Sequence, residues 1–243
     1  MKKIYEEIEE RLLSLQDEKQ SAHLMRFFKT GKGLYGEGDR FLGIKVPVTR
    51  SVVREFSHSA EIEDVEKLTS SQWHEVRLAG FLLLIEIYNR LKKRKEGLEK
   101  EVVDYYLSIL ERGNNWDLVD LVAPKILGDF ISRNPEYEKI LDSLVEMDGK
   151  LWNQRVGVVA NWAIICAGSY ESILRIAEKM LNHPHDLIHK AVGWMLREMG
   201  KRGGKKELRG FLDRYASDMP RTMLRYSIER LSAEERAYYM KRK

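Results

Sequence analysis

The sequence predicts an all-α protein in which helix pairs stack as repeats, and three observations carry that prediction. Apolar residues recur every three or four positions along nearly the whole chain, as in Val76, Leu78, Ala79, Leu82, Leu83 and Ile87, while strand-like alternation is scarce. The punctuation is that of helices. Pro47, Pro135 and Pro220 suit first helical turns, where a missing N–H costs nothing, and Gly113, Gly168 and Gly200 suit the position just past a helix. Polar residues near the middle of alternate helices recur every 35 residues at Asp120, Arg155, Lys190 and Arg225, with an earlier copy centred on Arg77.

Taken in order, the periodicity places helices over 2–17 and 19–28, then over 47–57, 61–69, 71–94 and 98–111. Further helices are expected over 115–132, 136–146, 150–166, 170–181, 185–200, 205–216, 220–231 and 233–241. The segment Thr30–Gly43 is too rich in glycine for a helix and is expected to be a structured loop or a short hairpin. Its Gly31, Gly33 and Gly36 match Gly-x-Gly-x-x-Gly, but no strand precedes them and no βαβ pattern follows, so a nucleotide-binding reading is rejected.

The repeat members begin Trp116-Asp117-Leu118-Val119-Asp120, Trp152-Asn153-Gln154-Arg155, Ile188-His189-Lys190 and Met223-Leu224-Arg225. One helix pair of this length cannot bury its apolar face alone, so neighbours must stack, as HEAT-like repeats do. The expectation is a single HEAT-like repeat domain over 1–243, an αα superhelix, with a glycine-rich insertion at about 30–43. Equivalent polar residues would then line one concave groove.

Hydrophobic residues make up 43% of the chain and charged residues 33%, with 17 Gly and 5 Pro, a balance of ordered helical proteins. Lysine and arginine number 42 against 38 acidic residues, so the net charge of +4 only hints at a polyanionic partner. The N-terminal residues turn acidic where a signal peptide would become apolar, and apolar runs such as Phe81 to Ile85 are too short to span a bilayer. A cytoplasmic protein with no membrane association is expected. With Cys166 as its single cysteine the chain has no internal disulfide, no Cys-x-x-Cys zinc site and no cysteine-ligated cluster.

Trp116 and Asp120 stand four residues apart, hence on one helical face. Facing a groove, an anion beside a flat aromatic surface suits a developing cationic sugar or a positively charged base; facing inward, the pair is a core tryptophan with a solvated aspartate. Arg155, one repeat later, either anchors a phosphate or holds Asp120 by charge-assisted hydrogen bonds, and an inter-repeat ion pair accounts for its spacing equally well. Trp194 lies one turn beyond Lys190 and is a candidate to converge on the same place, whereas Trp73, Trp152 and Trp162 are assigned to packing. Basic clusters at Arg90–Lys95, Lys201–Arg209 and Lys241–Lys243, together with Lys32, Arg40 and Lys45 around the glycine-rich segment, are candidates for phosphate contacts. His185 and His189 have metal-compatible spacing, but no Glu follows His185 in the His-Glu-x-x-His manner and Pro184 starts a helix there, so no metal is expected.

Five stretches together resemble the AlkD-like DNA alkylation-repair glycosylases: Phe41–Pro47, Asn115–Asp120, Leu127–Asp129, Leu151–Arg155 and Lys190–Glu198. The resemblance covers nearly the whole chain. It implies that Asp120 is the catalytic aspartate, Trp116 and Trp194 the cleft tryptophans and Arg155 the groove arginine. It further implies action on double-stranded DNA without a cofactor; a monomer is expected, with Lys32, Arg40, Lys45 and Lys190 as the candidate DNA contacts. By the same resemblance the lesion, a purine alkylated at N3 or N7, stays stacked rather than entering a pocket, and the product is an abasic site without a lyase step. The glycine-rich insertion departs from the simplest family pattern and Lys45 stands where a neutral polar residue occurs. Those departures keep two alternatives open, a non-catalytic binder of distorted or branched DNA and a HEAT-like scaffold for another protein.

Overall fold

The computed structural model describes residues 2–95 and 97–242, and among them every regular element is helical. The chain forms two compact units, one ending at Leu118 and the other starting at Val119.

The first unit holds α1 (Ile4–Leu13), α2 (Glu18–Phe27), α3 (Val46–Phe56), α4 (Ile62–Thr69), α5 (His74–Arg94) and α6 (Glu99–Ser108). Its centre is α5, against which α1, α3, α4 and α6 all pack. Val76 through Ile85 are buried on every face of α5, the pattern of a helix enclosed by others rather than lying at a surface. Such a helix has no solvent for its polar side chains, so His74, Glu75 and Arg77, all buried at its start, must find partners inside the protein.

A further helix, α7 (Trp116–Val122), begins in the first unit and ends in the second. The second unit continues with α8 (Asp129–Arg133), α9 (Lys139–Val145), α10 (Leu151–Val159), α11 (Asn161–Cys166), α12 (Glu171–Lys179), α13 (Asp186–Lys201), α14 (Lys205–Tyr215), α15 (Arg221–Ser227) and α16 (Ala233–Lys241). Here α10 packs on α13 and α13 on α15, so Arg155, Lys190 and Arg225 sit on consecutive neighbouring helices of an all-α repeat fold. Gly193 makes the second of these contacts possible: a Cβ there would stand 2.6 Å from the Met223 carbonyl oxygen and 2.5 Å from the Tyr226 Cβ.

Three expected boundaries are corrected. The helix expected over 115–132 is interrupted at Pro124–Gly128 by a π turn, in which the Gly128 N–H donates to the Ala123 carbonyl at 2.9 Å. Pro124 has no N–H to close the preceding turn, and the wider turn absorbs the fault. The helix expected over 150–166 breaks at Ala160, beside Asn161, whose side-chain amide donates to the Gly157 and Val158 carbonyls at 2.9 and 3.1 Å and competes with the backbone ladder. Gly200 lies inside α13 rather than beyond it, and Gly203, at φ +106°, follows the helix end. The glycine-rich segment is a run of turns containing no strand, tied to the N-cap of α5 by one bridge between Arg40 and Trp73. Of the basic clusters, Lys243 lies outside the described residues.

Candidate active site

In the second unit, Arg155 on α10 grips Asp120 on α7 with two parallel hydrogen bonds, Nε to Oδ1 at 2.8 Å and Nη2 to Oδ2 at 2.7 Å. Its remaining terminal nitrogen donates to the Leu187 carbonyl at the start of α13. The Arg155 side chain is 6% exposed and that of Asp120 is 18% exposed, so the pair is shielded but the carboxylate keeps a face toward solvent. The planar guanidinium fork fixes both position and rotation of the carboxylate, which a lysine could not do. Of the roles open to Arg155 in the sequence, the hold on Asp120 and the inter-repeat ion pair both call for this contact.

In the first unit, Trp116 opens α7 with its ring stacked on Phe28, the centroids 5.1 Å apart and the planes 24° apart, while Phe27 meets it edge-on at 5.9 Å. The indole is half-buried. Phe28 also stacks on Phe41 at 5.0 Å, and Phe41 stacks on the His74 imidazole at 4.3 Å. Phe27, Phe28, Phe41, Lys45 and His74 line a cleft of about 290 Å³, and the Phe27 ring is 57% exposed at the surface.

Behind these rings lies a polar cluster that repeat spacing does not reveal. His74 Nδ1 is 2.8 Å from an oxygen of Asp39, in the glycine-rich segment, and its Nε2 is 2.8 Å from an oxygen of Asp117, in the first turn of α7. Arg77 donates to the other oxygen of Asp39, to Asn114 and to the Ser71 carbonyl. Burial pushes His74 toward the neutral form, but the Asp117 and Asp39 carboxylates outweigh it and raise its pKa to about 9. Burial likewise opposes ionisation of Asp39, yet the hydrogen bonds and charges of His74 and Arg77 hold its carboxyl below the ordinary range. Glu75, next to His74, accepts the backbone N–H groups of Leu42, Gly43 and Ile44 at 2.8 to 3.0 Å and so anchors the end of the glycine-rich segment. The chain can turn there because Gly43 takes φ +89°, with a would-be Cβ 2.2 Å from the Asp17 carbonyl.

Residues 8–231 of the chain match the family described as DNA alkylation repair enzyme. The chain belongs to that family. A solved structure titled "Predicted DNA alkylation repair enzyme from Enterococcus faecalis" is 17% identical, covers 90% of this chain and 97% of its own, and superposes with a TM-score of 0.70, a likeness of fold. No curated protein matches the chain.

Family membership makes the cationic candidates worth placing. Lys32 and Arg40 are exposed on the glycine-rich segment, Arg40 donating to Gln72 at 2.9 Å, and Lys45 is exposed at the N-cap of α3. Lys190 pairs with Asp186, one turn earlier on α13, at 2.7 Å. Trp194, one turn further on, is half-buried on α13, the helix against which α10 packs. The three clustered histidines are spent on local structure: His183 meets Gln154 at 3.0 Å, His185 caps α13 by accepting the Leu187 N–H, and His189 reaches the His183 carbonyl. Burial lowers the pKa of His183 and of His185, which suits the acceptor role of the His185 ring. Among the described residues, no group of three or more His, Cys, Asp or Glu side chains is arranged to hold a metal ion, and no helix is long and apolar enough to cross a membrane.

Proposed function

We propose that this member of the DNA alkylation repair family is a glycosylase that hydrolyses the N-glycosidic bond of positively charged N3- or N7-alkylated purines in duplex DNA. The observation that carries the reading is the doubly hydrogen-bonded, partly exposed Asp120 held by Arg155. An alkylated purine is already a cationic leaving group, so the C1′–N bond breaks with its electron pair going to the base. Positive charge then develops on the sugar. A fixed carboxylate stabilises that charge more in the transition state than in the ground state, because it needs no reorientation as the charge forms. Water adds at C1′ and loses its proton, leaving an abasic site and a neutral alkylpurine.

Arg155 keeps Asp120 aimed by bonding both carboxylate oxygens, so Asp120 acts by electrostatics and by orienting water more than by drawing off a proton. Trp116 and Trp194 supply aromatic faces for the deoxyribose, favouring its cationic form. Lys32, Arg40, Lys45 and Lys190 contribute phosphate contacts, which confer affinity without base specificity. The protein works in this reading as a cytoplasmic monomer of a single HEAT-like repeat domain, with its recurring polar positions turned toward duplex DNA.

The test is release of N3-methyladenine and N7-methylguanine from methylated duplex DNA by the wild-type protein, with binding followed in parallel. Both release and salt-dependent binding are expected. Binding of branched or distorted duplexes without release identifies a non-catalytic binder and contradicts the glycosylase reading; absence of both points to a protein scaffold.

A further inference from the structure

We propose that the Asp39–His74–Asp117 bridge is a positioning device for the candidate active site, a charged imidazolium that pins the glycine-rich segment to the first turn of α7 and, through the ring of Phe28, sets the plane of Trp116. The claim about turnover rests on the glycosylase reading above; the claim about geometry does not.

The charge state follows from the contacts. Each ring nitrogen of His74 lies 2.8 Å from a carboxylate oxygen. An ionised carboxylate only accepts, so both nitrogens must donate, and only the doubly protonated ring can do that. A neutral ring would turn a lone pair toward Asp39 or Asp117 in a place where His74 is 2% exposed. The charged groups around it are Asp39 from the glycine-rich segment, Glu75 and Arg77 from α5, Asp117 from α7 and Lys45 from the edge of the same cleft, while Arg40 meets it through its backbone carbonyl. Glu75 is committed to three backbone N–H groups.

The two carboxylates are not equally served. Asp39 is held by His74 and by Arg77, whereas the other Asp117 oxygen is buried with no hydrogen-bond partner among the described residues. Loss of the His74 proton therefore costs Asp117 its imidazolium partner, while Arg77 still retains Asp39 and, through Asn114, the residues just before α7. The aromatic contacts carry the same state to Trp116: His74 lies 5.3 Å from Phe28, and Phe28 lies 5.1 Å from Trp116. Phe28 stacks on Phe41 as well as on Trp116, and Phe27 meets Trp116 edge-on, and rings packed against one another in this way have few alternative rotamers.

Proton–nitrogen NMR spectra of the DNA-free protein between pH 6 and 10 test this through the His74 ring and the indole N–H groups of Trp116 and Trp194. Both His74 nitrogens should carry protons at neutral pH and titrate near the raised value of about 9, and the Trp116 signal should move with the same midpoint while Trp194 does not. Asp117→Asn should lower the His74 midpoint by about one pH unit or more and uncouple Trp116 from it. His74→Gln should shift the Trp116 signal and abolish its alkaline change. In single-turnover release of N7-methylguanine, the wild-type rate should drop about tenfold across that midpoint with DNA affinity unchanged, and Asp117→Asn should move the drop to lower pH. A neutral His74 at pH 7, or a Trp116 signal indifferent to its titration, overturns the proposal. A wild-type protein that releases no methylpurine overturns the glycosylase reading instead, and the spectra then decide the positioning claim alone.

Discussion

Helix α7 carries two carboxylates one turn apart, and the fold closes them in opposite ways. Asp117, in the first unit, is paired with an imidazole whose positive charge is conditional on pH. Asp120, in the second, is paired with a guanidinium that stays charged at any pH a protein survives. The first pairing binds elements whose contacts are irregular in sequence, a glycine-rich loop and the start of a buried helix. The second joins equivalent positions of successive repeats. The pairing in the second unit is rigid and bidentate, whereas the one in the first is titratable and packed among aromatic rings.

The largest expected effect is from Arg155→Leu, which removes the two guanidinium bonds to Asp120 and the one to the Leu187 carbonyl. Removing one partner of a shielded ion pair costs about 3–5 kcal/mol, so the midpoint of chemical denaturation should fall steeply and methylpurine release should be lost. Arg155→Lys should recover part of the stability but little of the release, because it cannot supply the fork; full recovery by lysine would remove the case for bidentate aiming.

Next in size is the alkaline behaviour of the first unit. The folded-state pKa of His74 lies above its ordinary value, so its contribution to stability is fully present below about pH 6.5 and is lost as pH rises through about 9. That contribution is at most about 3 kcal/mol at low pH. Urea denaturation of wild type and His74→Leu across pH 6 to 10 should show the two stabilities converging on the alkaline side. A constant gap between them would mean that the imidazole acts by shape and not by charge, and the contrast with Arg155 would lose its basis.

The smallest effects belong to the surface cations. Lys32→Ala and Lys45→Ala should change stability by less than about 0.5 kcal/mol, since both side chains are exposed. Each lysine that touches a phosphate should reduce the slope of log affinity against log salt by about 0.9 when removed, which a titration of duplex binding at several salt concentrations measures. An unchanged slope for both variants would take the glycine-rich segment off the DNA.

The part of the site that follows the repeat was legible in the sequence, and the part that does not was hidden. Asp120 and Arg155, whose side chains meet, stand 35 residues apart, the spacing at which polar residues recur in the sequence. Asp39, His74 and Asp117 meet across separations of 35 and 43 residues that involve a loop, and no period predicts where a loop comes to rest. A signal was nevertheless present: His74, Glu75 and Arg77 directly precede the buried apolar run Leu78–Ile85, and buried polar groups require partners. The helices themselves followed from periodicity, while the π turn at Pro124 and the break at Ala160 arose from single residues acting on the backbone, effects that an averaged pattern smooths away.

The most direct test of the account is Asp120→Asn, which preserves the size of the side chain and removes its charge. With DNA binding measured alongside, the variant should bind methylated duplex DNA within about twofold of wild type while releasing N3- and N7-methylpurines at least about a hundredfold more slowly. Release at the wild-type rate by Asp120→Asn would show that the carboxylate is not the group that stabilises the departing sugar, and the catalytic assignment of this site would fall.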